Sequence, residues 1–293
     1  MSVIVGMMKK EQTLNARVVI VLTSILFTAC SSLTHNANYR VLAEHNLPRT
    51  VTETSGLYCP ENGFAYTVND SGNKASIYKI DNLGHVVDER STELNNIDWE
   101  ALTGDKTYFY IGDIGNNNGK RESVKIHKMV KGGLDEKVNT LSIHYANNQI
   151  KNNAYLNHDF DAEALVSMDE HLFLFSKSWQ SANLLIYRLD KATPKQSVIP
   201  VANIDNLPGM ITGADYDHQH ARFILVGYQL KSLGRFYPFI TILDKQLNLV
   251  RSFELEGYKQ IEGLCVTPSG DVWLTQEGSF LFTNKMIQLK IVE

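Results

Sequence analysis

The chain has 293 residues, 43% of them hydrophobic and 10% aromatic, and a formal net charge of −4. That length holds one large globular domain or two small ones, with ample apolar material for a core. The near-neutral balance and the lack of a Lys/Arg patch exclude nucleic acid as a partner.

From the N-terminus, Lys9, Lys10 and Arg17 precede an apolar run, 18–27 (VVIVLTSILF), that is short for a spanning helix. A basic start, a short apolar stretch and small residues before Cys30 have the layout of a secretory signal. The junction 27–30 (FTAC) resembles the bacterial lipobox, with Phe27 where Leu is usual. The resemblance implies lipidation of Cys30, and Ser31 in place of an Asp implies an outer-membrane lipoprotein facing the periplasm or the cell surface. The alternative is an ordinary signal peptide with an incidental cysteine. The expected organisation is a lipoprotein signal peptide over 1–29, a polar tether over 30–38 and one folded domain over 39–293.

Within 39–293 a unit recurs. Five short sites, 53–57 (ETSGL), 98–102 (DWEAL), 161–165 (DAEAL), 210–215 (MITGAD) and 260–264 (QIEGL), each precede a turn and an apolar strand. Those strands are 63–70, 107–113, 171–177, 222–229 and 271–277. Third strands follow at 75–81, 123–129, 183–190 and 237–244, and more polar fourth strands at 85–91 and 247–255. Helical periodicity is nearly absent, and β-branched and aromatic residues dominate. Four short strands per unit at this period predict an all-β, five-bladed β-propeller. The last unit has three strands, so 39–48 is expected to supply its outer strand and close the ring, leaving no open sheet edge. The long second unit, with its Asn-rich stretch, reads as a loop insertion; a sixth blade within 114–160 is the alternative. Cys59 and Cys265 are read as small buried hydrophobes, with a pairing between them left open for an exported chain.

In a propeller the first strand of each blade lines the central channel, so equivalent positions form a ring. Here the ring reads Ser55, Glu100, Glu163, Thr212 and Glu262. Three converging carboxylates repel one another unless something neutralises them. Carboxylates, hydroxyls, carbonyls and waters make a suitable Ca²⁺ shell, whereas the absence of Cys and His from the ring argues against Zn²⁺. The alternative is a water-filled channel plugged by hydrogen-bonded glutamates.

This ring pattern resembles the calcium-activated nucleotidases (apyrases), five-bladed propellers with one central Ca²⁺. The resemblance assigns Ser55, Glu100, Glu163, Thr212 and Glu262 to the metal. Their Asp-Asp-Arg-Thr-Gly loop stands here as 69–73 (NDSGN), which keeps Asp70 and lacks the Arg that meets phosphate. The motifs at 69–72, 98–102, 112–117, 161–165 and 211–216 also look like those of a group of exported bacterial propellers with no established reaction.

Polar residues at the ends of the second strands are expected around one channel mouth. Asp70, Asp98, Asp113, Asp161, Lys177 and Trp179 are the candidates for binding a small molecule, glycan or protein. The Asn and Gly residues nearby equally suit tight turns. The sequence has no Gly-x-Ser-x-Gly elbow, P-loop or His-Glu-x-x-His. Two readings follow: a monomeric, lipid-anchored binding module with Ca²⁺, or a Ca²⁺-dependent hydrolase of phosphoesters or esters.

Overall fold

The computed structural model describes residues 37–132, 138–231, 235–279 and 282–293. The expected signal segment, Cys30 and most of the tether lie outside the described residues. Among those described, no helix is long and apolar enough to cross a membrane.

Five small sheets form five blades. Blade one comprises β2 (Thr54–Glu61), β3 (Phe64–Asn69), β4 (Ser76–Asp81) and β5 (Val86–Ser91). Blade two has β6 (Trp99–Gly104), β7 (Tyr108–Asp113), β8 (Val124–Val130) and β9 (Val138–Tyr145). Blade three has β10 (Ala162–Met168), β11 (His171–Ser176), β12 (Leu184–Asp190) and the short β14 (Ala202–Ile204). Blade four has β15 (Met210–Asp217), β16 (Arg222–Lys231), β17 (Arg235–Asp244) and β18 (Leu249–Glu254). Blade five has β19 (Ile261–Val266), β20 (Val272–Gln276) and β21 (Lys285–Ile291), completed by β1 (Tyr39–Asn46), which pairs antiparallel with β21. The inner strands touch in the cyclic order β2, β6, β10, β15, β19 and back to β2.

Two features differ from the sequence reading. Directly after 131–137, one of the two turn-like stretches read as a loop insertion, runs β9, a fourth strand of blade two that the sequence reading did not single out. A further strand, β13 (Lys195–Val198), leaves blade three and pairs in parallel with β9, giving blade two a fifth strand.

Both faces of each sheet are covered by neighbouring blades, which is why the strands read as nearly continuous apolar runs. The core is correspondingly divided into five clusters, one at each seam. Tyr110, Ile126 and Leu141 of blade two, for example, meet Leu165, Leu174 and Tyr187 of blade three. Ile224 and Ile240 of blade four meet Leu264, Leu274 and Ile287 of blade five, and Tyr39 of β1 joins them. Full burial of each such side chain contributes roughly 1.5–3 kcal/mol.

Cys59 on β2 and Cys265 on β19 form a disulfide. Both are buried, as expected, but the two inner strands that carry them are neighbours across the seam between blades one and five. The ring is therefore closed twice: by the β1–β21 pairing within blade five, and covalently at the next seam.

Candidate functional site at the channel mouth

The five ring positions share one backbone device. In every inner strand the ladder to the second strand shifts register beside the ring position, at Glu100, Glu163, Thr212 and Glu262 themselves in blades two to five and one residue later, at Gly56, in blade one, so that two consecutive residues face one. The pairs are Ser55–Gly56, Glu100–Ala101, Glu163–Ala164, Thr212–Gly213 and Glu262–Gly263. Such a bulge bends the strand and re-aims the side chain beside it. The second member is always Gly or Ala because the inner strands crowd one another near the axis. At Gly56, with φ +73°, a Cβ would overlap the backbone of Ala101 and Leu102 in blade two. The recurring x-[Gly/Ala] of the sequence is thus the imprint of a bulge in each inner strand, displaced by one residue in blade one.

All five ring side chains are buried. The two hydroxyls pin adjacent inner strands: Ser55 Oγ donates to the Glu100 carbonyl at 3.0 Å, and Thr212 Oγ1 to the Ile261 carbonyl at 2.6 Å. The three glutamates have different partners. Lys177 Nζ reaches into the ring and meets Glu163 Oε1 at 2.7 Å. Gln260 Nε2 donates to Glu262 Oε1 at 3.0 Å and also to Glu277 Oε2, while Glu262 Oε2 has no hydrogen-bond partner. Glu100 groups instead with Asp70 and Asp98, one oxygen of each lying within 4.8 Å of the others.

Space for that last group is made by Gly115, where any Cβ would run into the carboxylates of Asp98 and Glu100. Burial, and then the charges of Asp70 and Asp161, push Asp98 up to about 6. Glu100 is pushed well above the usual carboxylate range by burial and by Glu163 and Asp70. Burial, followed by Glu262 and Asp70, raises Glu277 to about 9. Burial disfavours the Lys177 ammonium, but the surrounding charges, Glu163 first, outweigh it and hold the proton firmly. The mouth thus gathers six carboxyl groups (Asp70, Asp98, Glu100, Glu163, Glu262 and Glu277) around one lysine.

The remaining candidates are engaged by the protein itself. Asp161 is fully buried and accepts from Asn116 N (2.6 Å), Ala162 N (3.1 Å) and Trp179 Nε1 (2.8 Å). Asp113 is clamped by Arg121 at 2.9 Å and accepts from Asp98 N at 3.2 Å. Trp179 also lies near Lys177, its ring centroid 5.2 Å from Nζ. Sequence reasoning brought Asp70, Asp98, Lys177 and Trp179 to one mouth, but did not foresee that Lys177 would turn inward to the ring. It also missed Gln260 as the bridge between two glutamates. Replacing Trp179 by Phe removes one donor to a buried carboxylate, and is expected to lower stability by about 1–3 kcal/mol in urea unfolding.

No protein-family model matches the chain, and no curated protein matches it significantly. Solved structures with a similar path do exist. One is a bifunctional GH43-CE protein from Bacteroides eggerthii, at 12% identity and TM-score 0.49, matched over 84% of this chain. This chain spans about a third (34%) of that protein's length. A streptogramin B lyase is 11% identical over 88% of this chain and all of its own, with TM-score 0.47. A hypothetical protein from Leishmania major is 12% identical, with TM-score 0.48, over 87% of this chain and 94% of its own. The likeness is one of fold. A propeller of this kind is consistent with a binding module, and its chemistry must be read from its own residues.

Proposed function

We propose that this chain is an exported binding module whose channel mouth holds a Ca²⁺ ion on Asp70, Asp98 and Glu100 and presents a polar ligand site around it. The observation that carries the reading is the surplus of carboxylates. Lys177 is paired with Glu163, while Asp70, Asp98 and Glu100 converge without an ion pair among the described residues, and Lys177 and Arg121 offset their charge only in part. The unpartnered Glu262 Oε2, buried in the same ring, is a second oxygen that the protein leaves unsatisfied. An all-oxygen, multiply anionic donor set suits a hard ion. Glu163 is left out of the metal set because Lys177 holds it. Bound there, the ion would supply charge neutralisation and open coordination positions for a ligand oxygen.

The disulfide supports an oxidising address, and with the N-terminal segment it supports an outer-membrane lipoprotein anchored through Cys30. Among the described ring residues the Ser55 hydroxyl is 2% exposed and spent on the Glu100 carbonyl, which speaks against covalent catalysis by a ring serine and favours the binding reading.

Thermal melts with and without Ca²⁺ test the metal. Chelator is expected to lower Tm and added Ca²⁺ to restore it, with Asp70→Asn, Asp98→Asn and Glu100→Gln each blunting the response. The metal-free protein has a defined pH signature. Its mouth carboxyls titrate higher when folded than unfolded, so the folded chain keeps protons that the unfolded chain has released. Stability in chelator should therefore fall as pH rises from about 4 through 6 and 9, the range set by Asp98 and Glu277. Bound Ca²⁺, by holding its three carboxylates deprotonated, should flatten that slope. A melting curve indifferent to Ca²⁺, with no calorimetric binding, would remove the metal from the proposal.

A further inference from the structure

The far end of the channel holds a cavity of about 1140 Å³, lined by the C-terminal ends of all five inner strands. It is separate from the acidic mouth, which lies at the opposite ends of those strands. Its blade-two and blade-three wall carries four lysines, Lys106, Lys128, Lys131 and Lys191, alongside Asp105, Asp169 and Glu170. Three of the lysines rest on tyrosine. Lys131 Nζ lies 4.3 Å from the Tyr58 ring centroid, Lys128 Nζ 4.3 Å from that of Tyr108, and Lys191 Nζ 5.2 Å from that of Tyr110. Ammonium groups over aromatic faces are held in place electrostatically.

Their polar partners separate them. Lys191 is buried and paired with Asp105 Oδ2 at 3.1 Å. Lys128 meets only a carbonyl, that of Lys191, at 3.3 Å. Lys131 meets the Tyr58 hydroxyl at 2.7 Å and the Asp105 carbonyl. Among the described residues, two positioned and half-buried ammonium groups therefore border the cavity without an ion pair of their own. Burial lowers Lys131 to about 8, and the Asp105 carboxylate, already paired with Lys191, offsets that only in part.

Across the cavity, Asp215 is held in place by its acceptance of Tyr216 N and Val266 N, both at 2.8 Å. It offers a carboxyl group to a hydroxylated ligand. We propose that this cavity binds a small hydroxylated solute carrying an oxyanion, a sugar phosphate or sugar acid in size and chemistry, with the oxyanion on Lys128 and Lys131. The volume accommodates far more than a bare ion.

Isothermal calorimetry on the soluble domain, titrated with a hexose phosphate, glucuronate, inorganic phosphate and neutral glucose, tests this. Saturable binding of the hexose phosphate or glucuronate, and none of glucose, is expected. Lys131→Met and Lys128→Met should each weaken it about 10–100-fold, the loss of one charge-assisted hydrogen bond. Methionine keeps the packing against tyrosine, and an unchanged Tm would confirm that each variant is folded. Lys74→Met, at an exposed lysine outside the cavity, should bind like wild type. Binding of the hexose phosphate alone or glucuronate alone would identify which oxyanion the site takes. No saturable heat with either, equal binding of glucose, or binding indifferent to both lysine variants would overturn the proposal.

Discussion

Lys177→Met is expected to cost about 3–5 kcal/mol at neutral pH, because it leaves the Glu163 carboxylate buried with no counter-charge. The pair is 2.7 Å apart and both side chains are almost inaccessible to solvent. Most of the loss should return in the double variant Lys177→Met/Glu163→Gln, where neither charge remains, so a double-mutant cycle isolates the pairing. The pH dependence of the single variant has a definite sign. Burial already raises Glu163 with Lys177 in place, and removing the ammonium raises it further, so the penalty shrinks as pH falls towards the ordinary carboxylate range and grows as pH rises. Urea unfolding at two pH values, in chelator, measures both effects. A penalty that is the same at acidic and neutral pH would mean that Lys177 acts through packing alone.

Loss of the Cys59–Cys265 bond is the second large effect. It joins residues 206 apart in sequence, and the chain-entropy argument puts a loop of that size at the upper end of disulfide stabilisation, about 3–5 kcal/mol. For a chain of this length that corresponds to a drop in Tm of roughly 6–15 °C. Reduction, or Cys59→Ala with Cys265→Ala, should nonetheless leave a folded propeller, since β1 still pairs with β21. Circular dichroism melts under oxidising and reducing conditions check the shift, and limited proteolysis should find new cleavage at the seam between blades one and five. A shift below about 2 °C would mean that the seam is already held by its apolar core.

The five-bladed architecture was legible because each blade writes the same signals: a turn, an apolar strand, and a small residue beside the ring. The closing strand was legible too, since the last blade has three strands and 39–48 carries strand residues. The bulges were not, because a register shift belongs to two paired strands and neither one alone displays it. Lys177 was assigned to the mouth because a lysine ending a strand ordinarily faces water. The signal that could have placed it was charge: a ring with Glu100, Glu163 and Glu262 calls for a cation, and Lys177 ends the second strand next to one of them. The far cavity went unseen because its lysines come from outer strands and turns. No spacing in sequence announces that Lys128, Lys131 and Lys191 will line one wall.

The closure of blade five also fixes an order of events. β1 precedes every other strand of the described chain, yet its hydrogen-bonding partner, β21, is the last of them. Until Lys285–Ile291 arrives, Tyr39–Asn46 has an unpaired edge and Tyr39 lacks the core it joins. Ring closure must therefore be a late step, governed by contacts between the most distant parts of the sequence, and such topologies fold slowly. A nascent chain that cannot complete its ring early remains open and pliable for longer. Under the export proposed above, that delay would keep the chain threadable until all of it had crossed the membrane.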